Sequence, residues 1–229
     1  MQAECYVITI DTNSESINVA NRCINSGNKF GLDIKIFNAF TPRHNPLKIL
    51  ESKNFNIKKI KKPGYHSYES AVAGCFLSHL TLWEKCIEIN KTIIILEHDA
   101  IIINEIPFNI LDGTGFDKVI NLGKPAHGKF DTPEFTGAGL MVSSHRFKGT
   151  HAYAIKPAGA LKLINQGDRD HHGKIRASPA DIYLNTKTFP FLEELYPWPV
   201  ITKLEFSTIQ KSTNRYSTNS QLDEFGKSR

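Results

Sequence analysis

Apolar and polar positions in this chain follow two periods, and the places where one gives way to the other mark out an α/β fold. Residues 5–10 (CYVITI) form a short β-branched run, the pattern of a buried strand. Asp11-Thr12-Asn13-Ser14 follows, a cluster of turn and helix-capping residues. Residues 15–26 carry Ile17, Ala20 and Ile24 at helical spacing, and Gly27 stops the helix. Residues 32–37 (LDIKIF) alternate as a second strand. Strand, helix, strand is the opening of a parallel sheet, where ligands bind beyond the carboxyl ends of the strands. Residues 9–14 and 38–41 therefore fall at the expected nucleotide crevice.

The strongest pattern spans residues 74–104, GCFLSHLTLWEKCIEINKTIIILEHDAIIIN. Residues 70–90 predict the best helix, with Val72, Phe76, His79, Leu80, Trp83 and Ile87 on one apolar stripe. His79 on that stripe reads as a hydrogen-bonded core residue. Residues 92–96 predict a central strand that runs into Glu97-His98-Asp99. If the strand continues, its period of two puts both carboxylates on one side and His98 on the other. Buried carboxylates need partners, and a divalent cation is the simplest. If the strand ends at Leu96, both acids face water in a turn.

Elsewhere the pattern is weaker. Residues 41–65, with three prolines and Lys58, Lys59, Lys61 and Lys62, read as an exposed excursion with a short helix. Its lysines either meet phosphate or form a solvated face. Residues 112–116 read as a turn and 118–122 (KVINL) as a strand. Residues 123–136, Gly/Pro-rich with His127 and Lys129, have the length of a lid. Residues 137–142 and 149–155 predict paired strands. Pro157 starts a helix that Gly167 ends, and residues 168–174 (DRDHHGK) are a polar loop. Residues 179–185 (PADIYLN) predict a short helix displaying Asp181, and 195–201 an extended segment. The expected organisation is one domain over residues 1–204, with a polar tail, 205–229, that is partly disordered or orders on a ligand or partner.

Composition narrows the class. The chain has 229 residues, 40% hydrophobic, enough for a sizeable core. Its net charge of +5 suits anionic ligands. The four cysteines, Cys5, Cys23, Cys75 and Cys86, make no CxxC pair and read as buried free thiols in a reducing compartment. No window holds the roughly 20 apolar residues a spanning helix needs. The amino terminus reads as a first strand rather than a signal peptide, so a cytoplasmic location is expected.

In combination, GCFLSHLTLWEKCIE followed by IIILEHDAII resembles glycosyltransferase family 25, which has a G-C-x-x-S-H helix and a strand ending in an E-D-D type motif. YVITIDTNSES, NAFTP, GTHAYAIKPAGALKLI and PADIYL extend the resemblance, in order, over roughly residues 5–200. It implies a GT-A-like, Rossmann-type mixed sheet flanked by helices. It implies sugar transfer from a nucleotide-sugar donor, usually a UDP-sugar, with inversion, and Mn²⁺ (or Mg²⁺) at the acidic motif. On that resemblance Asp99 is the expected metal ligand, with His151 a second candidate, and Asp181 the expected general base. Thr9, Asp11, Ala39, Ser78 and Glu97 are expected to bind the donor. His98 stands where the family usually has Asp, which bears on metal dependence. The expected acceptor is a bacterial lipooligosaccharide or surface glycan, with peripheral contact to a membrane face. Two other readings stand beside it: transfer to hydroxymethylated pyrimidines in DNA, and a non-catalytic nucleotide-sugar or glycan-binding module.

Overall fold

The structure is a computed structural model that describes residues 3–60, 66–115, 117–126, 130, 132, 136–143 and 146–203. Its elements are β1 (Glu4–Thr9), α1 (Ser14–Asn28), β2 (Ile34–Asn38), α2 (Pro46–Ser52), β3 (Phe55–Asn56), α3 (His66–Ile89), β4 (Ile93–Glu97), β5 (Ala100–Ile102), α4 (Phe108–Gly113), β6 (Val119–Asn121), β7 (Gly139–Val142), β8 (Ala152–Ile155), α5 (Pro157–Asn165), β9 (Ile175–Arg176), α6 (Ala180–Tyr183), β10 (Leu192–Tyr196) and β11 (Val200–Thr202).

Seven strands form one mixed sheet in the order β2-β1-β4-β8-β6-β10-β7. Strands β1, β2, β4, β6 and β10 run one way, and β8 and β7 run against them. The mixed α/β class read from the sequence is what the chain forms. β1 has β2 on one side and β4 on the other, so the chain reverses its direction of winding there. The carboxyl ends of β1 and β4 therefore flank a switch point, where an open α/β sheet leaves a crevice.

Strand alternation divides the core. Ile93 and Ile95 of β4 turn to the α3 face, with Phe76, Leu80, Trp83 and Tyr153. Ile94 and Leu96 turn to the α1 face, with Val7, Ala20 and Cys23. β4 is buried on both faces, which is why it reads as a continuous apolar run. Residues 152–155 (AYAI) are buried in the same way between β4 and β6.

Several expectations need correction. Residues 137–142 and 149–155 do not pair. β7 lies at the sheet edge against β10, while β8 inserts between β4 and β6. The fully apolar AYAI can occupy the centre, whereas β7 exposes Val142. Residues 41–60 are not an exposed excursion, because Leu50, Phe55, Ile57 and Ile60 are buried against α3. β3 also pairs with β9. Asp112 and Gly113, expected in a turn, close α4. Of the four cysteines, all free, Cys75 is only half-buried. Lys61, Lys62, His127, Lys129, half of the expected lid and the tail lie outside the described residues.

Candidate functional site

The site is built where β1, β2 and β4 end. Ala39 donates its N–H to the Thr9 carbonyl at 2.8 Å, joining the exits of β1 and β2. Thr9 is fully buried and its hydroxyl turns back to Val7 O, so it shapes this corner through its backbone. The helix-capping cluster works as its composition suggests: Asn13 caps α1 by accepting from Ser16 N. Ser16 Oγ accepts the Ile10 N–H at 2.9 Å and meets His98 Nδ1 at 2.9 Å. This serine ties the β1 exit to the turn after β4. Asp11 is exposed and pairs with Arg43 across the crevice at 2.6 Å.

The G-C-x-x-S-H segment has a clear structural job. A Cβ on Gly74 would lie 2.3 Å from the Phe40 carbonyl oxygen, so only glycine lets α3 approach the loop after β2. One turn on, Ser78 Oγ accepts the Phe40 N–H at 2.9 Å and donates to Gly74 O at 2.8 Å. His79 is buried and bonded to the Tyr153 hydroxyl at 2.8 Å, the core role expected for it. Trp83 Nε1 donates to the same hydroxyl. The far side of the His79 ring, Nε2, lies 3.4 Å from Glu97 Oε1.

Neither expectation for the acidic pair holds in full. β4 does run through Glu97, which keeps the parity of Ile93 and Ile95 and faces α3. The chain then turns at His98-Asp99, leaves the main sheet and re-enters as β5, paired with β11. That detour hands the two carboxylates to different neighbours, and neither lies in an open turn. Glu97 accepts from Thr150 Oγ1 at 3.1 Å, and its own N–H donates to His151 O. Asp99 is 7% exposed and accepts from Thr202 Oγ1 at 2.7 Å through Oδ2. Its Oδ1 is buried with no hydrogen-bond partner among the described residues.

The electrostatics of the pair diverge accordingly. Burial pushes the Glu97 carboxyl up, but the hydrogen bond and charge of His79, helped by His151 and His98, outweigh it. The net result lies below the ordinary value. Burial, and then the charge of Glu97, push Asp99 up to about 6. Divergent carboxyl groups in a cleft are a mark of functional sites.

Thr150 holds Glu97 from a strained backbone. Its φ is 42°, a left-handed conformation that β-branched residues rarely adopt. Next to it the His151 ring is buried between two glycines. A Cβ on Gly123 would lie 2.4 Å from Nε2, and one on Gly149 would lie 3.0 Å from Nδ1. Asp181 is half-buried in the first turn of α6. Burial pushes the Cys75 thiol well up, and the charges of Glu97 and Asp181 push it further. Cys75 therefore lies within electrostatic reach of both acids.

All eight residues singled out from the sequence fall around this one end of the sheet. Thr9, Ala39 and Ser78 contribute through backbone or buried contacts, while Asp11, Glu97, Asp99, His151 and Asp181 bring charge or ring nitrogens. Sequence reasoning missed Cys75, Thr150, Tyr153 and Thr202, which all touch or neighbour the pair. The i, i+4 spacing of Cys75 and His79 was the one available signal, since it puts both on one helix face.

Comparison with known proteins matches residues 2–137 to the model of glycosyltransferase family 25, described as LPS biosynthesis protein. The matched stretch includes Glu97 and Asp99 and ends before His151 and Asp181. Among curated proteins there is no match to the chain.

Proposed function

The chain belongs to glycosyltransferase family 25, and from that premise we propose that it moves a sugar from a UDP-sugar to a hydroxyl of a lipooligosaccharide glycan. The observation that carries the reading is the Asp99 carboxylate at the exit of β4, beside the switch point, with Oδ1 buried without a hydrogen-bond partner among the described residues and Oδ2 held by Thr202. A second carboxylate, Glu97, stands two residues away. A buried, ionisable oxygen without a donor fits a hard cation. Asp99 Oδ1 would hold Mn²⁺ or Mg²⁺. Such a cation neutralises the diphosphate as it leaves.

The chain's own residues account for the other roles in a GT-A-type site. Asp11 and the 38–41 loop, fixed by Ser78 and Gly74, line the nucleotide end. Glu97, kept ionised by His79, meets the ribose or the cation's water shell. Asp181 takes the proton from the acceptor hydroxyl as its oxygen attacks the anomeric carbon, the sugar–phosphate bond breaks and UDP departs. The configuration at that carbon inverts. His98, turned to Ser16, serves as a strut between β4 and α1. His151, enclosed by Gly123 and Gly149, supports Glu97 through its backbone and is a second candidate ligand.

No helix among the described residues is long and apolar enough to cross a membrane. A cytoplasmic enzyme touching the membrane face through exposed Lys58 and Lys59 suits a glycolipid acceptor.

The test is nucleotide release from a panel of UDP-, GDP- and CMP-sugars with Mn²⁺, Mg²⁺ or EDTA. Release from one UDP-sugar that needs metal and vanishes in Asp99→Ala is expected. Release that survives EDTA would remove the metal from the scheme. Release from none, together with donor binding unchanged in Asp99→Ala, would favour a binding module.

A further inference from the structure

Glu97 of the acidic pair also belongs to a second ligand set, whose thiol, Cys75, has no part in the transfer scheme. Cys75 Sγ, a His79 ring nitrogen and a Glu97 carboxylate oxygen all lie within 4.8 Å of one another. Cys75 and His79 are four residues apart on α3 and share one face, and Glu97 reaches that face as the last residue of β4. Asp99 is turned away toward Thr202 and takes no part.

We propose that Cys75, His79 and Glu97 form a site for a thiophilic dication, Zn²⁺ being the natural occupant, separate from any hard-cation site at Asp99. Three protein ligands, one each of sulfur, nitrogen and oxygen, with a fourth position left for water, is a set that tetrahedral zinc accepts. Zinc bonds are about 2.3 Å to sulfur and about 2.0–2.2 Å to nitrogen and oxygen, so ligand atoms stand about 3.3–3.8 Å apart. His79 Nε2 and Glu97 Oε1 are already at 3.4 Å. The thiol closes the triangle by a movement of about 1 Å, within reach of one rotamer adjustment.

The surroundings supply what such a site needs. His79 Nδ1 lies 2.8 Å from the Tyr153 hydroxyl, so a proton on Nδ1 leaves Nε2 bare for the metal. Thr150 donates to Glu97 and orients its carboxylate. Cys75 and Glu97 are half-buried, at the edge of the core rather than sealed inside it. Asp181 adds a nearby negative charge. Binding there occupies Glu97 and would make zinc an inhibitor of the transferase.

The experiment measures binding directly and so does not depend on the transferase reading. The full chain is titrated with Zn²⁺ by calorimetry, and with Co²⁺ by absorption, for wild type, Cys75→Ser and Glu97→Gln. One strong zinc equivalent and a thiolate-to-cobalt charge-transfer band are expected in wild type. Cys75→Ser should lose the band and weaken zinc by at least about 100-fold, the upper end of what even an outer-shell partner costs. Glu97→Gln should keep the band and weaken zinc by about 10-fold or more, the lower end of that range. Zinc should also shield Cys75 of the wild-type chain from alkylation, located by peptide mapping, which needs no variant. Zinc binding equal in wild type and Cys75→Ser, a cobalt band that survives that change, or Cys75 alkylated at the same rate with zinc would each overturn the proposal.

Discussion

Replacing Asp99 by Asn should make the protein more stable at neutral pH and less able to act. The carboxyl's ordinary value is 3.8, and in the fold it stands at about 6. Each tenfold change in proton affinity is about 1.4 kcal/mol, so keeping Asp99 ionised costs the fold about 3 kcal/mol. The sign follows from the direction of the shift. Between 3.8 and about 6 the folded chain binds the proton that the unfolded chain has released. Stability therefore falls as pH rises through that window and stays low above it. The amide removes the charge but brings a buried N–H, which costs about 1 kcal/mol. The net gain at pH near 7.5 is about 2 kcal/mol, or about 4–8 °C in Tm for a chain of this size. At pH near 4, where wild-type Asp99 is protonated, the gain should vanish or reverse. Thermal melts of both proteins at the two pH values check this in metal-free buffer. Added Mn²⁺ should raise the wild-type Tm at neutral pH and leave that of the Asp99→Asn variant unmoved. A Tm difference that is the same at both pH values would refute the argument, because the cost would not be that of a buried charge.

The remaining predictions follow the same contacts. Glu97→Gln keeps the shape and loses the charge, and nucleotide release should fall about 10–100-fold. Its stability penalty should be present at neutral pH and fade as pH falls below 4.5 through the depressed folded value, the sign a lowered carboxyl demands; melts across that range measure it. Gly74→Ala must push the Phe40 carbonyl aside, costing about 1–3 kcal/mol in denaturant titrations and raising the donor KM. Ser78→Ala, which strands the Phe40 N–H, should cost about 1–2 kcal/mol, and the pair of changes should be less than additive. Thr150→Gly should relieve about 1–3 kcal/mol of backbone strain yet lower kcat. A Thr150→Gly protein no more stable than Thr150→Val would sink the strain reading.

The parts of the fold that could be read from the sequence are those in which one residue type settles the issue locally. CYVITI and TIIIL have too many β-branched residues to be anything but buried strands. The 70–90 stripe commits to a helix before any partner is considered. Pairing is different. Nothing within residues 137–142 says that β10, far along the chain, will occupy the edge beside them. Nothing in AYAI announces that it will lie antiparallel between two parallel neighbours. Those choices are made by burial across the whole sheet, where a strand apolar on both faces displaces one that exposes Val142. The 41–60 segment misled for a related reason. Its lysines and prolines set its average, while four apolar side chains, Leu50, Phe55, Ile57 and Ile60, set its position.

The acidic pair shows the same limit at the level of the site. Period-two reasoning was right as far as Glu97 and failed at Asp99, because the β4 partner on that side ends and β11 offers a new one. A single change of partner strand rotates Asp99 away from the α3 face and onto Thr202. The consequence is chemical. Two carboxylates on one face would share an ion and titrate together. On separate faces they take opposite shifts, one held ionised by histidine and one raised by burial. That separation is what lets a single stretch, Glu97-His98-Asp99, carry a buried carboxylate oxygen without a hydrogen-bond donor among the described residues on one side and a histidine- and thiol-flanked carboxylate on the other. The G-C-x-x-S-H helix explains the rest. Gly74 and Ser78 fasten the loop after β2, while Cys75 and His79, one residue further round the same turns, face Glu97. The motif is thus two interleaved pairs at i, i+4 spacing, one structural and one chemical.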